Sequence, residues 1–298
     1  MAVLGEVVGV LADLHGAAVA REICLTSVDA RVSRIAIPEE QLGSFQQLVQ
    51  DLGLHVALSD ERHVPKPDIG KGGYSNQCYA SFDDDHPYIH RLLYVAAAAS
   101  EADLARRSEA AEDAAVLGAA LRYPSCCTAF YESNAALAAE AHQGDLFPLA
   151  AGPRGDFAAH SFLLNFAANY FDGGWCSFFP CHLDCDAALA RLKRERHLVR
   201  QAAPLLAARL DEASSGSIIY TEYDGVAWIK RATLEGRDIV YPESELVVTL
   251  APPLTGLFQA LLEGDRIRSI PGHGFSIYAG GSLLWEERRR GSYARLFS

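Results

Sequence analysis

The first hundred residues combine apolar positions at helical spacing with short apolar runs. Helical spacing predicts an amphipathic first helix, whose apolar positions are Leu4, Val7, Val8, Leu11 and Leu14. Residues 34–37 and 54–58 are short apolar runs typical of strands, and the segment 39–52 between them has helix spacing. We therefore expect a β-α-β unit here, followed by a buried strand over residues 88–98.

The pattern changes after residue 99, where the chain is mostly helical in character and proline and glycine separate its segments. Proline favours the first turn of a helix and interrupts its interior, so these residues set most of the expected boundaries. The predicted helices are 100–121, 125–142, 156–170 and 180–203.

The last eighty residues contain several short runs typical of strands. Asp224-Gly225 between two β-rich runs predicts a hairpin. Further strands are expected at 239–241, 246–250, 267–270 and 275–278, with a short helix over 254–263. Together these patterns predict a mixed α+β fold with an α/β region at 1–99, a helical cysteine-containing domain at 100–215 and a β-rich region at 216–298.

Charge and composition narrow the classes of function. The 298 residues carry a formal net charge of −12, which disfavours nucleic acids and anionic membranes as partners. The apolar start of the chain lacks a basic region, and no apolar stretch has the length of a membrane span, so we expect a cytoplasmic protein. Thiols stay reduced in that compartment, and clustered cysteines there are typically metal ligands or catalytic groups.

The cysteines form the sharpest motif of the sequence. Tyr123-Pro124-Ser125-Cys126-Cys127 and Pro180-Cys181-His182-Leu183-Asp184-Cys185 each place cysteines after a proline that opens a predicted helix. The positive end of a helix dipole favours the thiolate, which is the form that binds metal or attacks as a nucleophile. Cys181 and Cys185 at i and i+4 would share one helix face, whereas adjacent cysteines diverge by about 100°, so Cys126 and Cys127 would both join only on an irregular backbone.

Three cofactor states remain open from these spacings. Three or four thiolates from Cys126, Cys127, Cys181 and Cys185 suit an iron–sulfur cluster, for which we favour the 4Fe–4S type, or a zinc ion. With three ligands, Cys126 would be a free reactive thiol. The alternative without metal is a thiol enzyme in which Cys126 or Cys127 is the nucleophile.

The same residues resemble a known family. Leu117-Gly118 and Tyr123-Pro124-Ser125-Cys126-Cys127, followed by Pro180-Cys181 and Cys185, resemble an uncharacterised prokaryotic domain family whose signature is Tyr-Pro-x-Cys-Cys followed by Pro-Cys-x3-Cys. Arg122 stands where that family usually has glycine. The family has no assigned reaction, so the resemblance implies a shared site without specifying its chemistry.

Polar residues near the motif are further candidates. His182 and Asp184 lie between the two late cysteines, and His160 lies on the predicted helix 156–170; each can act as an acid or base. Weaker candidates for contact with a substrate are Tyr123, Asn165, Asn169 and Lys71. The basic run 191–197 is interpreted as a solvated helix face.

These features favour a cytoplasmic iron–sulfur enzyme that acts on a small molecule by redox, Lewis-acid or sulfur-transfer chemistry. Such an enzyme implies a small-molecule substrate and an electron or sulfur donor protein as partners. The alternatives are a structural zinc site in a binding or scaffold protein and a thiol enzyme without metal.

Overall fold

A computed structural model describes residues 2–65, 78–81, 89–152, 157–171, 173–222, 224–242, 246–249 and 255–298. In chain order the helices are α1 (Ala2–His15), α2 (Ala17–Asp29), α3 (Leu42–Asp51), α4 (Ala99–Ala110), α5 (Ala114–Ala120), α6 (Ser125–Ala141), α7 (Phe147–Ala150), α8 (Asp186–Ala202), α9 (Pro204–Ser214) and α10 (Gly256–Glu263). The strands are β1 (Ser33–Pro38), β2 (His55–Pro65), β3 (Cys78–Ser81), β4 (His90–Ala96), β5 (Ala159–His160), β6 (Gly216–Thr221), β7 (Val226–Ile229), β8 (Thr233–Glu235), β9 (Asp238–Val240), β10 (Leu246–Val248), β11 (Arg266–Ile270), β12 (Gly274–Ala279), β13 (Ser282–Glu287) and β14 (Ser292–Phe297). The predicted α+β class is confirmed.

The chain divides into two compact units. The first contains α1–α5, β1–β4, the start of α6, α8 and most of α9. Its sheet has the order β1-β4-β2-β3, and all neighbouring strands are antiparallel. Because β1 and β2 are both antiparallel to β4, they run parallel to each other with β4 between them. The predicted β-α-β unit is therefore present, with β4 inserted between its two strands.

The second unit contains the β-rich C-terminal part of the chain. Its two five-stranded sheets have the orders β10-β7-β6-β14-β5 and β13-β12-β11-β9-β8. The hairpin predicted at Asp224-Gly225 joins β6 to β7. Alternate side chains from both sheets and from α10 form a buried core that includes Ile219, Ile239, Phe258, Phe275 and Ile277. Each unit combines several separate segments of the chain. The division of the sequence into three regions stays a prediction.

Three of the predicted helices differ from the structure. The helix expected at 100–121 is interrupted at Glu112, which has a φ of 55°, and Asp113 then caps α5 by accepting a hydrogen bond from the Val116 amide at 3.0 Å. The helix expected at 156–170 is wrong, because its described part consists of β5 and the 3-10 turns Phe162–Leu164 and Phe166–Phe171. The helix expected from residue 180 begins only at Asp186.

Among the residues that the structure describes, no helix combines the length and the apolar composition that crossing a lipid bilayer requires.

Candidate metal centre

Cys126 and Cys127 lie in the first turn of α6, as the sequence predicts. The Pro124 carbonyl accepts hydrogen bonds from the amides of Cys127 at 2.9 Å and Thr128 at 3.0 Å, so the helix is regular from its start. Cys126 is exposed, whereas Cys127 is 2% exposed. Both side chains therefore lie at the positive end of the α6 helix dipole.

Cys181 and Cys185 do not share a helix, which corrects the prediction from their i, i+4 spacing. The segment 181–184 forms turns, in which the Cys185 amide donates to the His182 carbonyl at 3.2 Å. The Asp184 side chain forms a hydrogen bond with His160. Helix α8 begins directly after Cys185. Cys185 is buried and Cys181 is half-buried.

The four thiols form one cluster. The sulfur atoms of Cys126, Cys127, Cys181 and Cys185 all lie within 4.8 Å of one another, and those of Cys126 and Cys127 are 3.9 Å apart. The expectation that only an irregular backbone would bring in both adjacent cysteines is wrong, because the regular first turn of α6 does so. Four sulfurs at these distances can hold a metal ion.

His160 lies on β5 rather than on the predicted helix. Its Nδ1 is 2.9 Å from Asp184 Oδ1, and its ring is only 6% exposed. Within the described residues, its buried Nε2 has no hydrogen-bond partner. His182 and Asp184 are exposed, and neither belongs to the group of four cysteines. The structure thus pairs two of the predicted acid–base residues with each other.

Asn165 and Asn169 bind backbone groups. Asn165 Nδ2 donates to the Ser214 carbonyl at 2.8 Å, and Asn169 Nδ2 donates to the carbonyls of Phe166 and Cys176, each at 2.9 Å. The helix face on which both were expected does not exist. Their hydrogen bonds hold irregular chain in place, and contact with a substrate stays a prediction.

Two cysteines outside the motifs have separate environments. Cys176 is buried and donates its S–H to the Phe178 carbonyl at 3.0 Å, and Cys24 is fully buried. Burial raises the pKa of the Cys24 thiol to about 11, which keeps it protonated and unreactive. Lys71 lies outside the described residues.

A buried ion network in the first unit is absent from the sequence prediction. Glu22 is bound by Arg21 and Arg31, and Arg31 also pairs with Glu195 on α8. Burial opposes ionisation of Glu22, but the charges of Arg31 and Arg21 outweigh it and lower the pKa from 4.5 to about 2. The i, i+4 spacing of Arg191 and Glu195 is the sequence signal that could have indicated this network. The interpretation of 191–197 as a solvated helix face is wrong for these two residues, because their side chains are 12% and 5% exposed.

No protein-family model, no curated protein and no solved structure matches this chain.

Proposed function

We propose that this protein binds a single zinc ion through Cys126, Cys127, Cys181 and Cys185, as a structural site in a binding or scaffold protein. The observation that carries the proposal is the spacing of the sulfurs, all within 4.8 Å of one another. Four thiolates at about 2.3 Å from one tetrahedral ion lie ~3.8 Å apart. The separation of 3.9 Å between the Cys126 and Cys127 sulfurs agrees with that value.

The same spacing favours zinc over the 4Fe–4S cluster expected from the sequence. In such a cluster each thiolate binds a different iron, so the cysteine sulfurs are spread to roughly 6 Å. A cluster would therefore require the four thiols to move apart. A single ion requires only small adjustments of side-chain rotamers.

The donor set also indicates what the ion does. Four protein thiolates complete a tetrahedral coordination sphere and leave no position for substrate, which is typical of structural rather than catalytic zinc. The start of α6 supplies two of these thiolates and stabilises their charge through its amides. Zinc would supply folding free energy here, because the unfolded chain has no preformed site.

A thiol enzyme without metal is the second candidate, and the exposure of Cys126 is the observation that favours it. An exposed thiolate at a helix N-terminus is accessible to an electrophilic substrate. Its base would be His182, which is exposed, or His160, whose ring is oriented by Asp184.

Cobalt substitution tests the proposal, because Co²⁺ replaces zinc and reports its ligands by absorption. We expect one equivalent of Co²⁺ to produce the visible bands of a tetrahedral complex and intense sulfur-to-cobalt charge-transfer bands, both lost when zinc is added. A Cys24→Ser variant is the matched control and keeps the full spectrum. Weak octahedral bands, or no saturable binding, would contradict the zinc site and favour the thiol enzyme.

A further inference from the structure

Arg191 joins α8 to the segment that precedes the cysteine pair of α6. Its Nη1 donates to the Arg122 carbonyl at 2.7 Å, and its guanidinium lies over the Tyr123 ring, 4.9 Å from the centroid. The side chain is only 12% exposed. Arg191 therefore contacts two consecutive residues of the segment that leads directly into Pro124 and the first turn of α6.

Arg191 is itself held in place by buried charge. Its Nε donates to Glu195 Oε1 at 2.7 Å, one helical turn further along α8. Arg31 pairs with the same carboxylate, and Arg31 also binds Glu22 on α2. Glu195, Arg31 and Glu22 are almost fully buried. The guanidinium of Arg191 therefore has a single well-defined position.

The backbone of Arg122 has a left-handed conformation, which the hydrogen bond from Arg191 helps to hold. Arg122 has a φ of 56°, which a residue other than glycine adopts at a cost in free energy. A backbone under such strain needs tertiary contacts to hold its conformation, and the hydrogen bond from Arg191 to the Arg122 carbonyl is one of them. The conformation at this residue sets the direction in which the chain enters α6.

We propose that Arg191 is a positioning residue for the metal centre: it fixes the start of α6, with Cys126 and Cys127, against α8, whose first residue follows Cys185. This inference rests on the proposed zinc site. Removing Arg191 would leave the cysteines unchanged but broaden the distribution of their separations. An ion that requires four sulfurs at tetrahedral spacing would then bind more weakly.

The test compares Arg191→Met, Arg191→Lys and the matched control Arg194→Met, which removes the contact of Arg194 with Asp29 and leaves the ion pair of Asp29 with Arg122 in place. We expect Arg191→Met to lower zinc affinity about tenfold, in the range of outer-shell substitutions, and to weaken the cobalt charge-transfer bands. Arg191→Lys keeps the charge and one donor, and should recover part of the affinity. Arg194→Met should bind zinc like the wild type.

Arg191→Met should fold, because Glu195 keeps its pairing with Arg31; the far-ultraviolet circular dichroism spectrum checks this. Should it fail to fold, Arg191→Lys carries the comparison: an affinity measurably below wild type supports the inference. Wild-type zinc affinity and cobalt spectra in the folded Arg191 variants would overturn it while leaving the zinc site standing.

A measurement without metal distinguishes failure of the proposed zinc site from failure of the positioning role of Arg191. In a Cys126→Ser/Cys181→Ser background, diamide oxidation should join Cys127 and Cys185 in a disulfide, detected by peptide mass spectrometry. Arg191→Met should slow this reaction severalfold, whereas Arg194→Met should not. If the wild type binds no metal, the proposed function fails, and these oxidation rates still decide whether Arg191 positions the thiols: equal rates overturn the inference.

Discussion

Cys127 and Cys24 show how differently one residue type behaves within this chain. Both are buried, but Cys127 lies at a helix start within 4.8 Å of three other sulfurs, whereas Cys24 lies in the middle of α2 outside that group. Burial raises the pKa of the Cys24 thiol to about 11, whereas Cys127 lies at the positive end of a helix dipole. Burial alone therefore does not identify a functional cysteine.

Serine substitutions should separate these two environments. Cys127→Ser and Cys185→Ser should each lower zinc affinity by about 100-fold or more, because each removes a thiolate from a four-ligand site. Cys24→Ser should leave affinity unchanged. Competition with a chromophoric zinc chelator measures all three, and an unchanged affinity in Cys127→Ser would exclude that residue as a ligand.

Glu22 gives the molecule a predictable response to acid. Its pKa is lowered from 4.5 to about 2 in the folded protein, so the stabilisation is complete above about pH 4.5 and is lost as the pH falls towards 2. Denaturant unfolding of the metal-free protein measures this at about pH 6 and about pH 3. Between these two pH values the free energy of unfolding should fall more in the wild type than in Glu22→Gln. Equal losses would show that Glu22 does not carry the acid sensitivity.

At the scale of elements, α5 and the first turn of α6 approach each other closely. A Cβ built on Gly118 would lie 2.6 Å from Thr128 Oγ1 and 2.9 Å from Thr128 Cγ2. Thr128 follows Cys127 directly, and its branched side chain cannot move out of the way by rotating a distant atom. The small residue at position 118 therefore sets how close α5 lies to the helix that carries the cysteine pair.

Gly118→Ala should destabilise the protein by about 1–3 kcal/mol, since the added methyl group overpacks this contact. Thr128→Ala in the same chain removes both clashing atoms and should restore most of the lost stability. A double-mutant cycle of unfolding free energies measures the coupling. Additive effects of the two substitutions would show that the contact between residues 118 and 128 does not cause the loss of stability.

Elements fixed by local signals could be predicted from the sequence. Pro124 locates the start of α6, and Asp224-Gly225 locates the hairpin between β6 and β7. The segments 156–170 and 180–185 could not, because Asn165 binds the Ser214 carbonyl and Asp184 binds His160, and both partners are distant in sequence. Helix-like spacing in these segments is outweighed by tertiary hydrogen bonds, which periodicity does not encode.

The candidate site was predictable as a set of residues but not as a geometry. The four cysteines follow from the two Pro-Cys motifs, whereas the participation of both Cys126 and Cys127 depends on how the first turn of α6 is oriented. The same orientation involves Arg191, whose buried contacts with Arg122 and Tyr123 join positions 69 and 68 residues apart in the chain. Such distant pairings carry no local sequence signal.

For the whole molecule, one metal bound by all four thiolates would close the long chain segment between Cys127 and Cys181. Because the unfolded chain has no preformed site, the free energy of metal binding adds to the free energy of folding, so metal binding and stability are coupled. The zinc site is therefore expected to contribute to stability throughout purification, and the ion should remain bound.

Metal analysis of anaerobically purified protein, together with its absorption spectrum, tests the zinc site most directly. We expect about one zinc per chain, little iron and a colourless sample, because four closely spaced thiolates suit a single tetrahedral ion. A brown sample with several irons per chain and a broad absorption band near ~400 nm would contradict the zinc site and establish an iron–sulfur cluster at these cysteines.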